Sequence, residues 1–463
     1  MNISMKLDEF QRSSQQVLDW ITHYLTHIRD YPVLPAVSPG ELTAKLPPHA
    51  PETGEPMERI LQDFRELIVP AITHWNHPGF HAYFSISASP PGILGEMLAA
   101  ALNVNHMVWK SCPAATELEQ VTLGWLREWL GLPDEYFGVI HDTASINTFH
   151  AMAAAREAAF PEFRVEGAQA GLTLYASEQA HSSVEKAAMA LGIGQKYVRK
   201  VPVDDEFRMR PEALAEMVEA DLAAGLRPFC VVVTTGTTST TSIDPVEPVV
   251  EMAARRNLWV HVDAAYGGPI AILPEKRHLF AGIERADSLV INPHKWLFTP
   301  TDCSVLYTRR PEILKRAFSL TPEYLKTSED HRAVNLMDYG VPLGRRFRSL
   351  KLWFILRYYG REGVSRILRR HLAWAQELAA AVSADPQFEL CAPVPLGTVC
   401  FRKKGSDEEN RLLLDRVNAT GKIFLSHTVL RERFVLRFSI GHIEATRDDV
   451  LEAWELIRRC ASS

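Results

Sequence analysis

Phe10, Val17, Trp20, Ile21, Leu25 and Ile28 fall at helical spacing, and Tyr31-Pro32 closes the run. The spacing predicts an amphipathic N-terminal helix. The stretch from Val33 to Pro56 holds many prolines and little periodicity, so an extended connection is expected there. From about Pro78 to Leu343, short apolar runs alternate with helical segments, the pattern of a parallel sheet covered on both faces. Leu172–Tyr175, Phe229–Val233, Leu258–Val262 and Ser288–Ile291 are the clearest strands, and a helix is expected from Ile146 to Ala159. Beyond Arg345 the chain turns helical, over Phe347–Tyr359 and Gly363–Ser383. It then alternates through strands such as Phe434–Ile440 to a closing helix, Arg447–Ile457. The expected organisation is an N-terminal helical arm (1–77), a large α/β domain with a mainly parallel sheet (78–345) and a smaller α+β domain (346–463). The apolar stripe of the arm needs a cover, either a partner subunit or the chain's own body.

With 463 residues the chain has room for a sizeable core, and its net charge of -6 with no basic block argues against nucleic acid as a principal partner. A small-molecule substrate is the expectation. Six cysteines, at 112, 230, 303, 391, 400 and 460, lack the paired short spacings of metal sites or redox pairs. They read as reduced thiols of a cytoplasmic protein with no metal. Met1–Trp20 has polar and acidic residues throughout in place of a basic start and an apolar run, so neither secretion nor membrane insertion is expected.

Each clear strand ends in polar residues, and in open α/β sheets ligands sit at the carboxyl ends of strands. After Ser288–Ile291 comes Asn292-Pro293-His294-Lys295-Trp296, and after Leu258–Val262 comes Asp263-Ala264-Ala265-Tyr266. A lysine amine can hold an aldehyde cofactor as a Schiff base, and an aspartate on a neighbouring strand can keep a pyridine nitrogen protonated. That pairing points to pyridoxal phosphate, carried covalently on Lys295. Thr143-Ala144-Ser145 opens a helix and can offer hydroxyls and free N–H groups to a phosphate; its ordinary reading is an N-cap. Gly236-Thr237-Thr238 offers a second donor set, or a simple turn. His181 stands where a strand gives way to a helix, able to stack on a planar ring or to serve only locally. Tyr324 opens a polar stretch with the character of a lid, from which a phenol can deliver a proton; its ordinary reading is a loop-edge tyrosine.

His77-Pro78-Gly79-Phe80-His81-Ala82-Tyr83-Phe84, Pro113–Glu119, Gln179–Glu185, His261–Tyr266, Asn292–Trp296 and Pro342–Phe347 together resemble the group II pyridoxal-phosphate decarboxylases, most closely the aromatic-L-amino-acid decarboxylase branch. The resemblance implies a fold type I, aspartate-aminotransferase-like enzyme, a homodimer with shared active sites. It makes Lys295 the Schiff-base lysine, Asp263 the pyridinium partner, His181 the stacking base, Tyr324 the proton donor and Ala265 a contact to the other ring face. Thr143, Ala144, Ser145, Thr238, Asn292 and His294 line the phosphate end, and Leu343 and Gly344 approach the neighbouring subunit's site. Trp75, Tyr83, Phe84, Asn105 and Met107 are the expected substrate contacts.

The implied reaction releases carbon dioxide from an amino acid of the tyrosine, DOPA, tryptophan or phenylalanine type and leaves an amine. The alternatives are oxidative aldehyde formation, transamination, or cofactor binding without turnover. Aldehyde-forming relatives replace the lid tyrosine by phenylalanine or the stacking histidine by asparagine, and this chain keeps Tyr324 and His181. For transamination, Arg437 is a candidate to grip a substrate carboxylate, with a structural ion pair as its ordinary role. The chain departs from the family in having Ser85 and Ile86 after Tyr83-Phe84, Asn105 and Met107 in place of isoleucine and phenylalanine, and His141-Asp142 in place of Gln-Gly beside the phosphate hydroxyls.

Overall fold

The structure, a computed structural model, describes residues 5–167, 170–320, 329 and 332–462. Its larger sheet has seven strands: β1 (Phe137–His141), β2 (Leu172–Ser177), β3 (Val198–Val201), β4 (Arg227–Thr234), β5 (Trp259–Asp263), β6 (Ser288–Ile291) and β7 (Ser304–Thr308). Their spatial order is β1-β7-β6-β5-β4-β2-β3. All neighbours pair in parallel except β7, which runs antiparallel to both β6 and β1.

The four strands expected from the sequence, β2, β4, β5 and β6, are consecutive in chain order apart from the edge strand β3. They are also neighbours in space. Their side chains alternate between two cores: Val231 and Val233 of β4 join Leu123, Val260, Val262 and Leu352 on one face, while Cys230 and Val232 join Met152, Leu174 and Leu306 on the other. Burial on both faces explains why these strands read as continuous apolar runs. The helix Ala144–Ala159 covers the second face, with its alanines 151, 153, 154 and 155 packed closely against the strands.

A second sheet, antiparallel, contains β8 (Phe388–Leu390), β9 (Thr398–Lys403), β10 (Ser426–Leu430) and β11 (Arg433–Ser439) in the order β10-β11-β9-β8. Its core, from Phe401, Leu436 and Phe438 to Trp454 and Ile457, is closed by the helices Asp407–Ala419 and Arg447–Ser462. Ser406 and Glu409 form a reciprocal cap at the first of these helices. The long helix Arg348–Ala384 is broken at Gly360, whose φ of 62° and ψ of 172° are not helical. This is the interruption expected between Tyr359 and Gly363.

The N-terminal helix spans Leu7–Thr26. Its stripe is shared out: Trp20 packs edge-on against Phe64 at 4.8 Å and Ile28 is buried, whereas Leu7, Phe10, Val17 and Leu18 are exposed on the single chain. Residues 79–87 run beside the second sheet, with His81 N–H donating to the Phe424 carbonyl and Ser439 N–H to the His81 carbonyl, both at 2.9 Å. They lead directly into the site. Among the described residues no helix is long and apolar enough to cross a membrane.

Candidate active site

Lys295 lies on a single helical turn, Pro293–Trp296, that begins where β6 ends. Its amine has no carboxylate partner at ion-pair distance among the described residues and stands 4.9 Å from the centroid of the Phe84 ring. Phe84 stacks on Tyr266 at 4.0 Å, and Tyr266 stacks on Trp296 at 4.6 Å with only 5° between the planes. The lysine thus rests on a column of aromatic rings contributed by three distant stretches of chain. Burial holds its amine below the ordinary lysine range, and the negative charge of Asp263 only partly opposes that shift. A larger neutral fraction makes the amine a better nucleophile toward a carbonyl.

Asp263 closes β5, adjacent to β6, and is 7% exposed. One of its carboxylate oxygens accepts the Ala265 N–H at 3.1 Å, which turns the chain after the strand. His181 lies just before the helix Ser183–Ala190, and its Nδ1 accepts the Ser183 N–H at 3.2 Å. The hydrogen-bond geometry therefore assigns the proton of the neutral ring to Nε2. Burial lowers the pKa of His181, Asp263 acts against the shift, and Lys295 and Lys186 act with it. Lys295, Asp263 and His181 are thus close enough to sense one another's charge.

Thr143 is the N-cap of Ala144–Ala159 and its hydroxyl accepts the Ile146 N–H at 3.5 Å. The N–H groups of Ala144 and Ser145, in the first turn, have no acceptor within the helix, as helix geometry requires. Thr143 itself is otherwise engaged: its N–H and its hydroxyl both donate to Asp142 Oδ1, at 2.5 and 3.1 Å. Asn292 is held by a buried chain of hydrogen bonds in which Asn147 donates to Ser304 Oγ at 2.7 Å and Ser304 Oγ donates to Asn292 Oδ1 at 2.5 Å. His294 Nδ1 accepts the Cys303 N–H at 2.9 Å, and burial, with the Lys295 charge adding to it, pushes the His294 pKa down to about 4. Asn147 and Ser304 were not anticipated. No local pattern marks them, because Ser304 belongs to the antiparallel strand β7 and its partners lie 12 and 157 positions away.

Thr238 is exposed, and its carbonyl accepts an N–H from Arg437 Nη2 at 2.7 Å. Arg437 is 5% exposed and also donates to the Ser239 carbonyl at 2.8 Å, the Tyr83 carbonyl at 3.0 Å and Ser426 Oγ at 3.1 Å. This corrects both readings of Arg437. Four of its donors are spent on neutral oxygens, so it is neither an ion-pair partner among the described residues nor a free carboxylate grip. It ties the Thr238 loop to Tyr83, which has a left-handed φ of 50° that a tyrosine adopts only when held. Tyr83 and Trp75, both exposed, stack with 13° between their planes at 5.7 Å and form an aromatic wall with Phe80 and Phe424.

Asn105, Met107, Leu343 and Gly344 form a separate group. Asn105 Oδ1 accepts the Arg345 N–H at 2.9 Å, and a Cβ built on Gly344 would lie 3.6 Å from Asn105 Nδ2. Arg345 anchors the group by donating to Glu119 at 2.7 Å and to the Ile140 carbonyl at 2.9 Å. Asn105, Leu343 and Gly344 are exposed on the single chain. Tyr324 lies outside the described residues.

The donor set fits pyridoxal phosphate. An amine lowered in pKa, a buried carboxylate one strand away, a histidine with Nε2–H and a helix start with unspent N–H groups match the aldehyde, the ring nitrogen, the ring face and the phosphate in turn.

Residues 39–404 match the family model described as the pyridoxal-dependent decarboxylase conserved domain. An aromatic-L-amino-acid decarboxylase of Cavia porcellus is 43% identical over 477 aligned positions, covering 99% of this chain and 98% of that protein. Among solved structures, an Oryza sativa TDC crystallised with PLP and tryptamine superposes with a TM-score of 0.97 at 37% identity, covering 100% of this chain and 99% of that one. A Rhodiola rosea 4-hydroxyphenylacetaldehyde synthase superposes with a TM-score of 0.92 at 36% identity, covering 99% of each chain.

Proposed function

The chain belongs to the pyridoxal-dependent decarboxylase family, a group of carboxy-lyases, and from that premise we propose that it decarboxylates an aromatic L-amino acid to the corresponding amine. The observation that carries the substrate class is the column of aromatic rings, Phe84, Tyr266 and Trp296, beneath the Lys295 amine. A flat apolar side chain gains most by packing there.

When bound, pyridoxal phosphate would supply an electron-withdrawing ring able to stabilise negative charge on the substrate. Lys295, with its lowered pKa, would hold the cofactor through its aldehyde. Asp263, buried and with one carboxylate oxygen accepting the Ala265 N–H, would keep the cofactor's ring nitrogen protonated. His181, its Nδ1 engaged by the Ser183 N–H, would offer Nε2–H to the cofactor ring. Thr143, Ala144, Ser145, Thr238, Asn292 and His294 would hold the phosphate. Tyr324 delivers the proton to the α-carbon once carbon dioxide has left, with His181 in the relay.

Transamination is disfavoured because Arg437 is committed to backbone carbonyls and the Ser426 hydroxyl, leaving no grip on a carboxylate that has to depart. Aldehyde formation is disfavoured by the retained Tyr324 and His181. The assembly is a homodimer in which the exposed Leu343-Gly344 and Asn105-Met107 group reaches the partner's site, while the exposed part of the N-terminal stripe packs on the other subunit. We assign 1–77, 78–345 and 346–463 as arm, cofactor domain and small domain. Six free thiols favour a reducing compartment, the cytoplasm.

The test is a carbon-dioxide release screen of the cofactor-loaded protein against all common amino acids, with amine, aldehyde and hydrogen peroxide measured together. Stoichiometric amine from aromatic substrates is expected. Aldehyde with peroxide would replace the assignment by oxidative chemistry, and release from non-aromatic substrates alone would remove the aromatic one.

A further inference from the structure

Asp142 immediately precedes Thr143, the N-cap of the helix whose start is the proposed phosphate subsite. Its Oδ1 takes both donors of Thr143, the N–H at 2.5 Å and the hydroxyl at 3.1 Å. These are donors that a helix N-cap threonine would otherwise offer to an incoming anion, beside the open N–H groups of Ala144 and Ser145. A carboxylate and a phosphate dianion cannot share them, since like charges in contact repel strongly in a partly desolvated site. The guanidinium of Arg348 is the cation whose charge interacts, weakly, with Asp142. Arg348 donates to Asp302 through Nε at 2.7 Å and Nη2 at 3.2 Å, and although burial lowers its pKa, Asp302 and more weakly Asp142 raise it on balance.

We propose that Asp142 is a built-in competitor for the cofactor's phosphate: it occupies the Thr143 donors until pyridoxal phosphate displaces it toward Arg348, and so sets the affinity for the phosphate-bearing form of the cofactor. The inference rests on the placement of the phosphate at the start of Ala144–Ala159. It makes Asp142 a positioning residue that acts through Thr143, and it weakens binding of any phosphate-bearing ligand while leaving the aldehyde chemistry at Lys295 untouched. Pyridoxal, which carries the same aldehyde without the phosphate, separates the two effects.

The experiment titrates cofactor-free full-length protein, its Asp142→Asn and Asp142→Gly variants and a Ser145→Ala control with pyridoxal phosphate and, separately, with pyridoxal. Binding is read from the visible absorbance of the lysine-bound aldehyde. Inorganic phosphate serves as a competitor. Both Asp142 variants are expected to tighten pyridoxal phosphate about tenfold and to lower the phosphate concentration that competes, with pyridoxal changed less than about twofold. Unchanged or weaker binding of pyridoxal phosphate in the two variants overturns the proposal, as does equal tightening of pyridoxal. Ser145→Ala should weaken pyridoxal phosphate and spare pyridoxal. If it does so while the Asp142 variants do nothing, the phosphate placement stands and the competitor role is lost. If it spares both, the placement fails and the proposal falls with it.

Discussion

Asp263, Ala265, Asn292 and His294 are all less than a tenth exposed and stand on or just after β5 and β6, with Lys295 among them, whereas Thr143, Ser145, His181, Thr238, Asn105 and Gly344 occupy helix starts and loops that are open on the single chain. The first group is fixed by the same packing that makes the central strands, so its geometry is as rigid as the core. The second depends on loops held by a few polar ties, chiefly Arg437 and Arg345, and on whatever covers it in the assembly. On the proposed assignment, anchoring the cofactor is therefore a property of one chain's interior, and shaping the substrate side a property of its surface.

The contrast is broken most directly at the anchor. Lys295→Ala should abolish turnover, by about a thousandfold or more, and remove the visible absorbance of the lysine-bound aldehyde while the circular dichroism stays that of the wild type. Retained activity would remove the lysine from the mechanism. Arg437→Met probes the tie between the two groups: it removes the donor to the carbonyls of residues 83, 238 and 239, and a loss on the order of 3 kcal/mol is expected in denaturant unfolding, with weaker cofactor binding. A variant as stable and as tightly loaded as the wild type would show that the Thr238 loop and Tyr83 hold themselves.

Acid should act on the buried side first. Burial pushes His81, His261, His294 and His371 down to about 4, and His150 and His442 to about 3. Between the ordinary histidine value near 6.5 and these lowered ones, the unfolded chain binds protons that the folded chain refuses. Stability from these groups is present above about pH 6.5 and is lost as pH falls toward 4. The thermal midpoint should accordingly drop steeply from pH 7 to pH 5, and a midpoint flat over that range would contradict the buried neutral state. The smallest effect belongs to the open wall: Trp75→Ala should raise KM roughly threefold to tenfold, more than it lowers kcat, for the preferred aromatic substrate. An equal fall in kcat with KM unmoved would place Trp75 outside substrate binding.

Legibility in the sequence follows the same division. Strands β2, β4, β5 and β6 are apolar on both faces and were readable as runs, and the polar residues at their ends marked Asp263, Asn292 and Lys295. Strands β1 and β7 were not singled out. Each is five residues long, and β7 returns antiparallel between two parallel neighbours, so no crossover helix announces it. With β7 went Ser304, and with Ser304 the support of Asn292. Arg437 could be located on its strand, but its role could not, because its acceptors are backbone carbonyls of residues 83, 238 and 239, and a carbonyl has no signature in sequence.

The sequence by itself determined the apolar runs that make the central strands, the break at Gly360 and the order of chemical groups that the strand ends carry, since these depend on side-chain identity and local spacing. Tertiary structure alone decided that Phe84, Tyr266 and Trp296 stack beneath one lysine amine, that His181 holds its proton on Nε2, and that Asp142 takes the donors of Thr143. The stack arises because residues far apart in the chain are packed at a single place. The other two arise because a group able to bond several partners is committed only by the backbone geometry around it.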